Sequence, residues 1–149
     1  MRDILHRGKR KDTGKWVYGG YFTDGKKHFI IIRVGHIPNT RDLDEAEYYE
    51  KNPIYLPEFI EVIPETVGQF TELTDIKGNM VFEGDILREK YHPERDVIVE
   101  WNDGRYSFME RMKPRVYGYS SICVTQKSVG RLKNIGNIYD NPELLKRWC

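Results

Sequence analysis

The chain has 149 residues, enough for one ordinary core or for two small β modules. Apolar residues make up 39% and charged residues 32%, which excludes a disordered chain, and no apolar run approaches the roughly 20 residues that cross a bilayer. A net charge of +1 excludes a uniformly basic surface, so any nucleic-acid contact must come from a local patch.

The aromatic share of 13% favours strands, whose flat, half-buried faces accommodate rings. The start of the chain, Met1-Arg2-Asp3-Ile4-Leu5, carries no apolar segment of the signal-peptide kind. Cys123 lies in an apolar strand-like run and Cys149 is the last residue. Reduced thiols in an intracellular protein are the simpler reading of this pair, a disulfide the alternative.

Residues 1–35 read as a β-meander. Asp12-Thr13-Gly14 is a turn signal, and Trp16 and Tyr18 fall on one face of the strand that follows. Gly19-Gly20 marks a bulge or a close backbone approach. Asp24-Gly25 has hairpin-turn chemistry, and the apolar run 28–34 predicts a strand covered on both faces.

Residues 36–57 change character and read as a peripheral insertion or contact arm. Asn39 or Thr40 is placed to cap a short helix over 41–50, with Leu43, Ala46 and Tyr49 on one side. Asp42, Asp44, Glu45 and Glu47 suit the positive end of its dipole. Asn52-Pro53 and Pro57 require an extended chain, and residues 59–63 return to strand character.

From Val67 the pattern is β again. Asp75-Ile76-Lys77-Gly78-Asn79 predicts a turn with Gly78 at positive φ. The segments 97–101 and 105–109, joined by Asn102-Asp103-Gly104, form the cleanest hairpin, with Val97, Val99 and Trp101 on one face and Tyr106 and Phe108 sharing a face on the return. Further strands are expected over 119–126 and 132–139, with Gly136 kinking the second or allowing close packing. Asn141, Pro142 and Glu143 then open a short helix, with Leu144 and Leu145 as its apolar contact and Lys146 and Arg147 at its negative end. Pro64 is the best place to divide the chain, into a β subdomain over 1–65 carrying the insertion 36–57, and a second subdomain over 66–149.

Gly68-Gln69-Phe70-Thr71, Asp75, Gly78 and Glu83-Gly84-Asp85-Ile86, followed by Ile135-Gly136-Asn137-Ile138-Tyr139-Asp140-Asn141-Pro142, resemble the YopX family. The opening Ile4-Leu5-His6-Arg7-Gly8-Lys9 and Gly14-Lys15-Trp16-Val17-Tyr18-Gly19 are similar to that family's start, so the likeness spans nearly the whole chain. Glu72 departs from the pattern, standing where relatives often carry Gly. The family is encoded mostly by bacteriophages and prophages. The resemblance implies a mainly β protein whose C-terminal part is an SH3-like barrel closed by a short helix. It also suggests self-association in a bacterial cytoplasm, and it carries no catalytic residue across.

Candidate chemistry is sparse. Glu83 and Asp85 are two apart, as a paired acid site needs, but Gly84 and the following Ile86-Leu87 suggest a bend that uses Asp85 to bind backbone amides. His6, His28, His36 and His92 show no metal-ligand spacing, and the acidic run 42–47 lacks the glycine and spaced oxygens of a calcium loop. No nucleophile elbow, phosphate loop or dinucleotide fingerprint is present, so a hydrolase or nuclease has no motif. Catalytic residues, metal and cofactor are all expected to be none.

Arg7, Lys9, Arg10, Lys11 and Trp16 remain as a candidate nucleic-acid contact, pairing phosphate attraction with base stacking. Alternating basic side chains also protect strand edges, and Trp16 and Tyr18 also suit a core or an interface. Two function classes follow. The first is a non-enzymatic, self-assembling interaction module that meets copies of itself or a host or phage protein, with no membrane role. The second is a small-barrel nucleic-acid binder acting through residues 7–16.

Overall fold

In the structure, a computed structural model describing residues 4–102, 105–110 and 122–148, the Asp12-Thr13-Gly14 turn joins β1 (His6–Lys9) to β2 (Trp16–Thr23). Asp24 closes the next turn, its Oδ1 accepting from the amides of Lys26 at 2.8 Å and Lys27 at 2.7 Å, and β3 (His28–His36) follows. Helix α1 (Leu43–Lys51), β4 (Ile54–Val62) and a 3-10 turn (Pro64–Thr66) complete the first of two units, which spans residues 1–67. Its strands run in the order β4-β3-β2-β1, all antiparallel.

The end of β4 returns to the residues after β1. Arg10 bridges to Val62, the Lys11 amide donates to the Glu61 carbonyl at 3.0 Å, and the Ile63 amide donates to the Lys9 carbonyl at 2.8 Å. The sheet therefore curls, with Ile30, Ile60 and Val62 buried on its inner face. Gly8 makes the curl possible, since a Cβ there would lie 3.0 Å from the Val62 side chain.

The insertion and the strand before it differ from expectation in three ways. Asp42, not Asn39 or Thr40, caps α1, accepting from the amides of Asp44 at 2.9 Å and Glu45 at 3.2 Å. Thr40 instead binds the Glu45 carboxylate at 2.9 Å. β4 begins at Ile54, ahead of the expected start at Phe59, so residues 54–57 belong to the sheet rather than to an arm. β3 is not covered on both faces: Ile30 is fully buried, whereas Ile31 is half-buried and Arg33 exposed.

The second unit spans residues 68–149. β5 (Gly68–Thr74) pairs with β6 (Met80–Phe82) across the Asp75–Asn79 turn, where Gly78 has φ 81°. β7 (Asp85–Glu89), β8 (His92–Asn102) and β9 (Arg105–Glu110) form a meander. β10 (Ile122–Cys123), the short helix α2 (Gln126–Val129) and β11 (Leu132–Asn137) follow. The sheet order is β10-β9-β8-β7-β11, so β11 pairs with a strand far from it in sequence. Val81, Leu87, Val99 and Val129 make the core, with Leu73, Val97 and Leu132 packed against it.

Two further expectations are corrected here. Of the strand predicted over 119–126, the described residues show Ile122 and Cys123 as strand, and Gln126 starts α2 under a capping box between Thr125 and Ser128. The closing helix is a 3-10 helix (Pro142–Trp148), and the Asn141 side chain turns back to accept from the Asn137 amide at 3.2 Å instead of capping it. Residues 103–104 of the predicted hairpin turn and residues 119–121 lie outside the described residues. The side chains of Tyr106, Phe108, Cys123, Lys146, Arg147 and Cys149 do as well. The chain is mainly β, with antiparallel pairing and few helices, and no closed barrel is found among the described residues.

Candidate functional site

Register decides which side chains of the first unit share its outer face. Residues directly opposite across antiparallel strands point the same way. Lys9 faces Trp16 and Arg7 faces Tyr18; Phe22 faces Phe29; Ile31 faces Phe59. All lie on the side away from Ile30 and Ile60.

Three phenylalanines meet on that face. Phe22 and Phe59 pack edge to face at 5.9 Å between ring centroids and Phe29 and Phe59 likewise at 6.2 Å, while Phe22 and Phe29 lie tilted at 32° and 6.3 Å apart. Phe22 remains 46% exposed and Phe59 53%. Tyr18 and Tyr55 are exposed too, with the Arg33 guanidinium 5.1 Å from the Tyr55 ring.

The five residues singled out from sequence divide into two groups. The structure brings Arg7, Lys9 and Trp16 together: the Arg7 guanidinium lies 4.5 Å and the Lys9 ammonium 5.6 Å from the indole. Arg7 is buried in this stack. Arg10 and Lys11 are instead held by acids. Arg10 grips Asp12 through two 2.9 Å bonds, which hold the Asp12 carboxyl down at about 2. Lys11 pairs with Glu61 at 3.0 Å.

The acidic pair is structural. Glu83 accepts from the Gln69 amide at 2.9 Å, and Asp85 from the Phe82 amide at 2.8 Å and the Asn134 side chain at 2.9 Å. Asp75 is a second buried anchor, accepting from the amides of Lys77, Asn79 and Asn134. Burial raises its carboxyl, but the bonds from Asn134, Asn79 and Lys77 outweigh that and hold it below the ordinary value. His6 is half-buried beside Tyr21, whose hydroxyl shares a 2.5 Å hydrogen bond with His28 Nδ1. Burial lowers the His6 imidazole. Among the described residues no group of three or more His, Cys, Asp or Glu is placed to hold a metal ion.

Sequence reading missed the phenylalanine cluster. The Phe22–Phe29 pairing is legible across the Asp24-Gly25 turn, but Phe59 reaches it only because β4 pairs with β3 beyond the inserted helix.

A family model described as YopX protein matches residues 5–146 of the chain. Among solved structures, the crystal structure of protein EF1440 from Enterococcus faecalis is similar at 22% identity, with 97% of this chain and 99% of that chain covered and a TM-score of 0.46. No curated protein matches.

Proposed function

The chain belongs to the YopX protein family, and from that premise we propose that it is a non-enzymatic interaction module that binds a second copy of itself through the outer face of β2, β3 and β4. The observation that carries this reading is the cluster in which exposed Phe22 and Phe59 pack edge to face beside half-buried Phe29. Fully covering a phenylalanine side chain is worth about 1.5–3 kcal/mol, so covering the exposed halves of Phe22 and Phe59 contributes about half that each toward the cost of association. Aromatic rings and arginine are the residues on which interfaces concentrate their energy.

The face carries both signs of charge, as a two-fold contact between identical patches requires. Glu61 sits between Lys11 and Lys27, and Arg33 lies over Tyr55. β4 ends the strand order on this side, and Pro57 within it has no N–H to offer. That disfavours strand addition at the edge and leaves packing face to face.

With this proposal go the finer readings of setting and fold. Residues 66–149 form a barrel of the SH3-like kind, supported by five antiparallel strands and a closing 3-10 helix. The setting is the bacterial cytoplasm and the origin phage or prophage, supported by the family resemblance; host or phage proteins are further partners. No helix among the described residues is long and apolar enough to cross a membrane. A second reading, nucleic-acid contact at residues 7–16, is favoured by the cation stack over Trp16 and weakened by the carboxylates on Arg10 and Lys11. Sedimentation velocity over a range of micromolar concentrations tests the first reading. A sedimentation coefficient that rises with concentration supports it, and one that stays at the single-chain value removes it.

A further inference from the structure

A cationic groove in the second unit was not legible in the sequence. β7 and β11 pair so that Lys133 stands opposite Arg88 and Leu132 opposite Glu89. Around this pairing lies a groove of about 500 Å3 whose rim holds Lys77, Arg88, Lys90, Arg131 and Lys133, with Glu89 as its single acid. Its remaining lining is apolar, from Ile76 and Ile135. An adjoining groove shares Ile76, Glu89, Lys90 and Arg131 and adds Gly130 and Tyr91, of which Tyr91 is 77% exposed and has the Lys90 ammonium 5.3 Å from its ring.

Most of these cations are not bound to an acid. Arg88 alone is committed, through bonds of 2.7 and 2.8 Å to the buried Asp96. Among the described residues, Lys77, Lys90, Arg131 and Lys133 have no carboxylate within ion-pair distance. A chain whose net charge is only +1 thus concentrates positive charge at one place. That placement is unfavourable for folding, because like charges repel, and it is the arrangement that a polyanion reverses.

We propose that this groove binds a segment of single-stranded nucleic acid, with its phosphates on Lys77, Lys90, Arg131 and Lys133 and unpaired bases on Tyr91, Ile76 and Ile135. A cationic rim beside an aromatic and aliphatic surface is how sequence-tolerant single-strand binders work. A duplex keeps its bases stacked on one another and would leave Tyr91 unused. A small phosphate ion would leave the apolar floor unused. The site lies wholly in the second unit, so it stands or falls separately from self-association through the first.

Fluorescence anisotropy of labelled oligo(dT) and of a mixed-sequence single-stranded RNA, at low salt, tests this. The expected result is saturable binding that weakens with salt, with a log–log slope of about −2 to −3 for three or four phosphates. The pair Arg131→Ala with Lys133→Ala weakens binding about tenfold or more and makes the slope shallower by about 1.4. Tyr91→Ala weakens it about tenfold at an unchanged slope, because stacking releases no counterions. Lys26→Ala, on the first unit, leaves binding unchanged. Should the double variant melt early by circular dichroism, Lys90→Gln and Lys133→Gln taken singly test the same point, each making the slope shallower by about 0.7. Absence of binding by the wild type at low salt, or wild-type binding by the double variant, overturns the proposal. So does equal affinity for the matching duplex, or equal competition by tripolyphosphate or by polyglutamate, the last of which points to an acidic peptide instead.

Discussion

Phe22 and Phe59 hold one another edge to face at 5.9 Å, although β3 lies between their strands and α1 between β3 and β4 in the chain. Each ring still shows about half its surface to solvent, 46% and 53%. Rings fixed in place before a partner arrives lose little conformational freedom on binding, which favours their use as anchors. Phe29 completes the arrangement by touching both.

Phe29 and Phe59 differ in what their removal does to the isolated chain. Phe29 is half-buried and makes two ring contacts, so Phe29→Ala is expected to lower the unfolding free energy by about 2–3 kcal/mol. Phe59→Ala removes a more exposed ring and is expected to lower it by about 1 kcal/mol. Urea denaturation of both variants gives the ordering.

Glu72 is the one non-glycine among the described residues with positive φ, at 66°. It sits where β5 and β6 shift register between Phe70 and Thr74. A side chain in that conformation is strained by about 1–2 kcal/mol, and glycine relieves this at a smaller entropic cost. Glu72→Gly is therefore expected to raise stability by up to about 1 kcal/mol, and the β-branched Glu72→Val to lower it by about 1 kcal/mol. Thermal melting of the two variants is expected to move in opposite directions.

Asp75 ties the β5–β6 turn to β11. Asp75→Ala strands the amides of Lys77, Asn79 and Asn134 and is expected to cost about 3 kcal/mol. The folded carboxyl is held below its ordinary value of 3.8, so its contribution is complete above that value and is lost as pH falls through the lower folded one. Acid titration of stability should therefore flatten at its low end in Asp75→Asn, which has no such proton to take up.

His6 acts at milder pH. Burial lowers its imidazole below 6.5, so the unfolded chain takes up the proton before the folded one does. Stability is complete above pH 6.5 and declines as pH falls from there to the lower folded value. His6→Gln is expected to remove this slope, and the imidazole shifts of His6 followed by NMR should titrate below those of a model peptide. The neighbouring groups are Tyr21 and, hydrogen-bonded to it, His28.

What the sequence disclosed was local. Asp12-Thr13-Gly14, Asp24-Gly25 and Asp75 to Gly78 form turns because side-chain oxygens and glycine act within a few residues. Asp85 was legible as a binder of backbone amides for the same reason. By sequence Asn39 or Thr40 reads as the cap of α1 and Asp42 only as a charge suited to its dipole, because similar oxygens lie close together there and only the position of the first turn chooses among them. The capping box of α2 was concealed because Ser128 stands where Glu or Gln usually announces it. Pro53 and Pro57 masked the first half of β4, which is an exposed end strand where proline is tolerated. The phenylalanine cluster and the β7–β11 groove both depend on which distant strands pair, and periodicity carries no such information.

The central claim is that the outer face of β2, β3 and β4 joins two copies of the chain. Light scattering on gel-filtered protein at micromolar concentration, comparing the wild type with the double variant Phe22→Ser and Phe59→Ser, tests it most directly. The account predicts a wild-type mass above that of one chain and a variant, still folded by circular dichroism, at the mass of one chain. A wild type with the mass of a single chain, or a folded variant as large as the wild type, would contradict it.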